Sequence, residues 1–316
     1  MDAENREKAA TDRYLIVTTA VADIRKEPTD GPTGYGHDDL QESQALYNEV
    51  LLYRGENEKW YRVEAIEQAD FSPESLWHGH PGWVKKTDVL ETKAMWRNNV
   101  VVRDKTAKVL HAPINKARAL HLLSIGTRLR ATGKIVEGYE QVQLPGGVQG
   151  WVRKRCLRRM VRQISEDRLR SNIVNTAKLF LGVPYLWGGR SMLLPELGGV
   201  ATGVDCSGLT SLVFRANNID IPRNAHVQWM VTPKIAPAAL RPGDLIFLSN
   251  KDEFYKINHV MIFVRGDEFI EAAETGTVVK VGSFKEKFGR TRAALAAEGL
   301  LVDNRRIYCG KIPVSK

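Results

Sequence analysis

One pentapeptide recurs in the first half of this chain with its surroundings. Gly82-Trp83-Val84-Lys85-Lys86 leads to Val89-Leu90, and Gly150-Trp151-Val152-Arg153-Lys154 leads to Leu157. Ahead of each lies an aromatic, polar, Val-ended segment: Lys59-Trp60-Tyr61-Arg62-Val63 and Gly138-Tyr139-Glu140-Gln141-Val142. Further upstream, Ala22-Asp23-Ile24-Arg25 is matched with Val100-Val101-Val102-Arg103. Short alternating segments separated by Gly, Pro and Asn turns predict strands, and a repeat of them predicts one small antiparallel barrel used twice. The two units are placed at 12–92 and 93–160. The first is the longer, with extra loops at Thr29–Asp39 and Gln68–His80. Trp83 and Trp151 suit packing positions, and Trp151 is read as filling the core of its unit.

The remaining part, 165–316, mixes helix and strand patterns. Ser165 is a cap followed by Glu166 and Asp167, and Leu169, Ile173, Ala177 and Phe180 share one helical face. Gly182-Val183-Pro184 stops that helix, and the aromatic loop Tyr185-Leu186-Trp187-Gly188-Gly189 follows. An insertion rich in Leu and Gly runs from Ser191 to Thr202. Next comes Gly203-Val204-Asp205-Cys206-Ser207-Gly208, entering Leu209, Leu212, Val213 and Phe214 at helical spacing. Three strands are predicted after it, at Leu245–Leu248, Val260–Val264 and Glu268–Ala272. The fold class expected is α+β, a helix packed on an antiparallel sheet, preceded by the two all-β barrels.

At 316 residues the chain suits two or three domains. Its formal charge of +9 favours an anionic partner. Much of that charge lies in one run, Arg153 to Arg155 with Arg158, Arg159 and Arg162, where no aromatic side chain is interleaved for stacking on bases. A solvated hinge is the preferred reading of the run, and no nucleic-acid partner is expected. The three cysteines, Cys156, Cys206 and Cys309, have no metal-ligand spacing, so neither metal nor cofactor is expected. Free thiols fit a reducing compartment, and with no signal-peptide core or membrane-length apolar run the expectation is cytoplasmic. Removal of a signal peptide would leave the same sequence and change that to periplasmic or secreted. A monomer is expected, with no membrane span.

Cys206 falls in the first turn of its predicted helix, where free N–H groups and the helix dipole favour a thiolate. Polar Asp205 and Ser207 beside it speak against an inert core cysteine. A thiolate nucleophile needs a base, and a polar group to orient that base. Two histidines stand in this half, His226 in a polar segment and His259 at the head of a strand. A three-residue hairpin loop, Arg265 to Asp267, would pair 264 with 268 and 259 with 273. Glu271 is then the diagonal neighbour of His259 on the same face, while Glu274 faces the other way.

Tyr-Leu-Trp-Gly-Gly, Asp-Cys-Ser-Gly-Leu, Ile-Pro-Arg, Pro-Gly-Asp-Leu-Ile-Phe and Asn-His-Val, in this order, resemble the NlpC family of papain-like cysteine peptidases over about Asp167–Pro313. The repeats in front resemble bacterial SH3-like barrels. Together they are similar to the γ-D-glutamyl-L-diamino-acid endopeptidases of murein-peptide turnover. The resemblance implies a cysteine peptidase that cuts peptidoglycan stem peptides, with Cys206 as nucleophile, His259 as base and Glu271 as the third residue, a place where the family often has His. It implies Tyr185 on the substrate carbonyl, and Asp205 and Ser207 on the stem peptide, Asp205 towards its free amino end. Arg223 and Asn224 stand in the segment that recognises the D-Glu carboxylate, with Arg-Asn-Ala in place of the frequent Arg-Asp-Ser. Gln41 to Tyr47 matches the motif of an acid closing the amino-end pocket from the first barrel, giving Glu42. The matching Tyr position is held by His80. The alternatives are an amidase or acyltransferase on the same scaffold, and a wall-binding hydrolase acting on intact peptidoglycan.

Overall fold

The computed structural model describes residues 13–32, 34–72, 74, 76–92, 97–160, 164–192, 201–298 and 300–312. The start of the first unit at residue 12, Arg162 of the basic run and residues 193–200 of the insertion lie outside them.

The repeat is visible as topology. Two seven-stranded antiparallel sheets have the same strand order, so each strand of the first has a counterpart at the same place in the second. This corrects one equivalence. Val100–Val102 corresponds to Tyr14–Val17, and the counterpart of Val21–Arg25 is Thr106–Leu110. Both candidate strands are short and mostly apolar, so pattern alone did not separate them.

Within the repeated pentapeptide it is the valines that enter the cores. Val84 packs with Leu15, Ile24 and Leu51, and Val152 with Val109, Leu123 and Leu129. Successive strand residues point to opposite faces, so Trp151 lies in a separate small cluster with Leu110 and Tyr139 rather than in the main core. Trp83 is half-buried.

The basic run is not a solvated hinge. Leu157–Arg159 is the last strand of the second sheet. Arg159 pairs with Glu140, and Arg158 donates at 2.9 Å to the Ala216 carbonyl beyond the Cys206 helix.

The third sheet is also antiparallel and holds Leu245–Ser249, Ile257–Arg265, Glu268–Glu271 and Arg305–Gly310 among its strands. Helices α1 (Glu166–Lys178), α2 (Cys206–Arg215) and α3 (Ala225–Val231) belong to the same half, with α4 (Phe284–Phe288) and α5 (Arg292–Glu298) further on. The apolar cluster of α1 and α2 takes in Val260 and Ile262 from the sheet and Leu46 and Ile125 from the two β units. That shared core is reinforced by buried ion pairs. Arg190 meets Glu49 at 2.7 Å, both fully buried, and buried Arg215 meets half-buried Glu67 at 2.7 Å, so charges of the C-terminal part are answered by the first unit. Among the described residues no helix is long and apolar enough to cross a membrane.

Candidate active site

Helix α2 begins at Cys206, with Asp205 as its cap. The Asp205 carboxylate accepts from the Gly208 N–H at 2.6 Å, which satisfies one free donor of the first turn. Position 208 must be glycine, because a Cβ there would stand 2.1 Å from the Gly189 carbonyl oxygen. The helix start is thereby seated on the loop that carries Tyr185. Cys206 is buried, its thiol pointing at the Asn258 carbonyl oxygen at 3.9 Å with the backbone N–H groups of Val260 and Ser207 nearby. Those donors favour a thiolate, but burial outweighs them and pushes the thiol up to about 12.

His259 lies inside the strand Ile257–Arg265. The turn of the hairpin is one residue tighter than expected, with Arg265 opposite Glu268, and an irregularity at Val264 restores the register to Phe263 opposite Phe269 and Ile262 opposite Ile270. Glu271 therefore stands on the face of His259, and its Oε2 lies 2.8 Å from His259 Nε2. Since a carboxylate accepts, His259 Nε2 carries the proton and Nδ1 is left as the basic nitrogen. Nδ1 has no hydrogen bond among the described residues. Burial holds the imidazole below its ordinary pKa, against the pull of Glu271, and Lys287 lowers it further.

Lys287 was not foreseen. Phe284 and Phe288 anchor the short helix α4 in the core, and the position between them delivers Lys287 Nζ to Glu271 Oε2 at 2.7 Å. Burial of Glu271 opposes its charge, but His259 and Lys287 prevail and hold it down at about 2. His226 makes no such pair. Its Nδ1 accepts from the Ile257 N–H at 3.3 Å, and its ring lies against Trp229.

Tyr185 is buried beside Asp205 and Cys206, and burial first, then the Asp205 carboxylate, push its hydroxyl far up, so it stays a donor. The hydroxyl has no hydrogen bond among the described residues.

Arg223 is fully buried. Its guanidinium grips Asp205 at 3.1 and 2.7 Å, meets Ser207 Oγ at 2.9 Å and, through Nε, Ser43 Oγ at 2.7 Å. What Arg223 touches is thus protein, and Asp205 keeps spare acceptor capacity only on Oδ2. Asn224 donates to Asp70 Oδ2 at 3.2 Å. The same Asp70 oxygen lies 2.9 Å from His80 Nδ1, and His80 Nε2 is 3.7 Å from Glu42 Oε2. Ser43 and Asp70 were missed in the sequence. Neither has a local signal, because both reach the cleft only through docking of the first unit against 223–224.

Glu271, held ionised by a lysine, makes the pH response of His259 testable. Lys287→Met removes a like charge from the imidazole, so its pKa should rise. The acid limb of kcat/KM should then move to higher pH, by up to about one unit. A limb that stays put would mean that Lys287 does not act on the pair.

The NlpC/P60 family matches residues 182–297. The γ-D-glutamyl-L-lysine dipeptidyl-peptidase of Bacillus subtilis is 27% identical over 284 residues, 87% of this chain and 88% of that protein. The enzyme of the same name from Bacillus cereus is 26% identical over 76% of this chain and 69% of its own length. Dipeptidyl-peptidase 6 of Lysinibacillus sphaericus is 27% identical over 69% of this chain and 78% of its own. The crystal structure of an NlpC/P60 family protein from Bacillus cereus has the same fold, with a TM-score of 0.69 at 21% identity over 86% of this chain and 94% of that one. With Cys206 at one helix start and His259 and Glu271 on one hairpin, behind two repeated β units, the chain carries an NlpC/P60 family domain over residues 182–297.

Proposed function

We propose that this protein is a cysteine peptidase that hydrolyses the γ-D-glutamyl–diamino-acid bond of peptidoglycan stem peptides bearing a free N-terminal L-Ala. The observations that support this reading are Cys206 at a helix start with its sulfur 3.9 Å from the carbonyl of Asn258, the residue before His259, the His259–Glu271 pair at 2.8 Å, and the docking of the first β unit on Arg223 and Asn224 through Ser43 and Asp70. The names of its relatives support it, since a dipeptidyl-peptidase releases a dipeptide from a free amino end. The domains fall near 12–92, 93–160 and 165–316, and the three free thiols suit a cytoplasmic role on released peptides.

The resting pair is a neutral thiol and a neutral imidazole, because burial disfavours both charged forms. As the sulfur attacks the γ-carbonyl carbon of D-Glu, its proton passes to His259 Nδ1. The imidazolium that forms is stabilised by ionised Glu271. Negative charge develops on the carbonyl oxygen, facing the Tyr185 hydroxyl and the Cys206 N–H, which has no acceptor within its own helix. His259 then gives the proton to the leaving diamino-acid amine, and water cleaves the thioester with His259 again as base.

Mass spectrometry of products from L-Ala-γ-D-Glu-meso-diaminopimelate and its Lys counterpart tests the reading. The expected products are L-Ala-D-Glu and the free diamino acid. Release of L-Ala alone, or no cleavage of either peptide, would overturn it.

A further inference from the structure

The second β unit holds all of the chain's surplus positive charge. Between Arg97 and Met160 fourteen Lys and Arg stand against three Asp and Glu. The whole chain carries +9, so the remainder is slightly acidic. The cleft uses none of these cations. The three carboxylates of the unit do not answer them either. Glu140 pairs with Arg159, Asp104 interacts with Cys156 beside Arg155, and Glu137 sits in the turn between Arg128–Val136 and Tyr139–Gln143.

One end of the unit sets exposed cations beside apolar loop tips. Leu110 pairs with Trp151 in antiparallel register. The loop after Thr106–Leu110 and the loop before Gln149–Arg153 therefore leave the sheet at the same end. The first loop exposes Ile114, at 57%, together with Lys116 and Arg118, and the second exposes Val148, at 52%. Arg130, also exposed, stands opposite Gln143, where the second loop begins, and Glu137 lies at the far end of that hairpin. Lys116, Arg118 and Arg130 form no ion pair among the described residues. We propose that this end of the second β unit docks on an anionic lipid surface. Ile114 and Val148 enter the headgroup boundary, and Lys116, Arg118 and Arg130 meet the lipid phosphates.

Other polyanions fit the charge but not the apolar tips. The unit's two aromatic rings, Trp151 and Tyr139, are buried. The Lys134 ammonium lies 5.7 Å from the centroid of the first and the Arg153 guanidinium 4.9 Å from that of the second, so neither is open to a base. Its helical turns, Pro145–Gly147 and Lys154–Cys156, are three residues each and offer no helix to a duplex groove. A nucleic acid or a wall polymer would pair with the cations and leave Ile114 and Val148 in water. Charge and shallow apolar insertion acting together suit a reversible attachment to a bilayer. No residue of this end belongs to the cleft, so attachment and hydrolysis are separable.

Co-sedimentation of the intact chain with vesicles tests the proposal, using phosphatidylcholine alone and equal parts of phosphatidylcholine and phosphatidylglycerol. The protein should sediment with the mixed vesicles only, and high salt should release it. Lys116→Ala combined with Arg118→Ala should weaken the partition roughly twenty-five-fold, about fivefold for each cation at an anionic surface. Ile114→Ser combined with Val148→Ser keeps every charge and should weaken it by about tenfold or more. Both double variants should keep the thermal midpoint, since all four side chains are exposed. No binding to the mixed vesicles, or equal binding to the neutral ones, overturns the proposal. Binding that the Ile114 and Val148 substitutions leave unchanged overturns it too, and would assign the surface to a nucleic acid or a wall polymer.

Discussion

Cys206→Ala should abolish peptide cleavage while leaving the fold intact. The sulfur forms the bond that splits the reaction into two steps, and loss of a nucleophile is expected to cost about three to four orders of magnitude or more in kcat. Alanine suits the first position of a helix, the Asp205 cap and Gly208 are untouched, and the side chain removed is small. Far-UV circular dichroism and the thermal midpoint should therefore stay near those of the unaltered protein. The other two thiols provide the control. Cys309 is buried among Ile246, Met261 and Phe269, and Cys156 belongs to the second β unit. Substituting either should leave kcat/KM close to its starting value. Residual activity in Cys206→Ala near that of the unaltered enzyme would sink the assignment of the whole cleft.

How much of this was legible in the chain depends on how local each contact is. Cys206, its cap and Gly208 lie in one contiguous stretch, and helix capping places them without tertiary knowledge. The His259–Glu271 contact follows from counting along a hairpin. The tighter turn and the irregularity at Val264 cancel, so the expected face was reached through a slightly different loop. Lys287 was not legible, because its approach depends on how α4 docks through Phe284 and Phe288. Asp70 and Ser43 were hidden for the same reason, being carried to 223–224 by a neighbouring unit. Arg223 was noticed as a motif residue, but its burial against Asp205, Ser207 and Ser43 is a consequence of that docking. In the repeat, the recurring tryptophans attracted notice, yet alternation puts the small valine beside each into the core. The basic run misled for a related reason. Arg158 and Arg159 in it are taken up by a helix-end carbonyl and by Glu140, partners that no spacing rule names.

The part of the first β unit in substrate choice leads to the second large effect expected. L-Ala-γ-D-Glu-diaminopimelate should be cleaved much faster than its N-acetyl form. In the proposed reading the substrate's amino end meets Glu42 of the first unit and the Oδ2 of Asp205, which Arg223 holds. The neighbouring His80 imidazole holds Glu42 below the ordinary carboxylate range, so it is charged at working pH. A free ammonium meets that charge, whereas an acetamide brings none and adds bulk against the pocket wall. A lost charge-assisted hydrogen bond is worth roughly 1.5–3 kcal/mol, about one to two orders of magnitude in kcat/KM. Asp205 contributes the smaller share, because Arg223 already answers most of its charge within the protein. Glu42→Ala should accordingly narrow the gap between the two peptides, chiefly by slowing the free one. Glu42 lies outside the Cys206–His259–Glu271 group, so the N-acetyl peptide should react at much the same rate on both proteins. The measurement is kcat/KM for both peptides on both proteins. Equal rates on the unaltered enzyme would mean that the first unit does not gate the cleft, and would favour a hydrolase that works on intact peptidoglycan, where the amino end of the stem is already acylated.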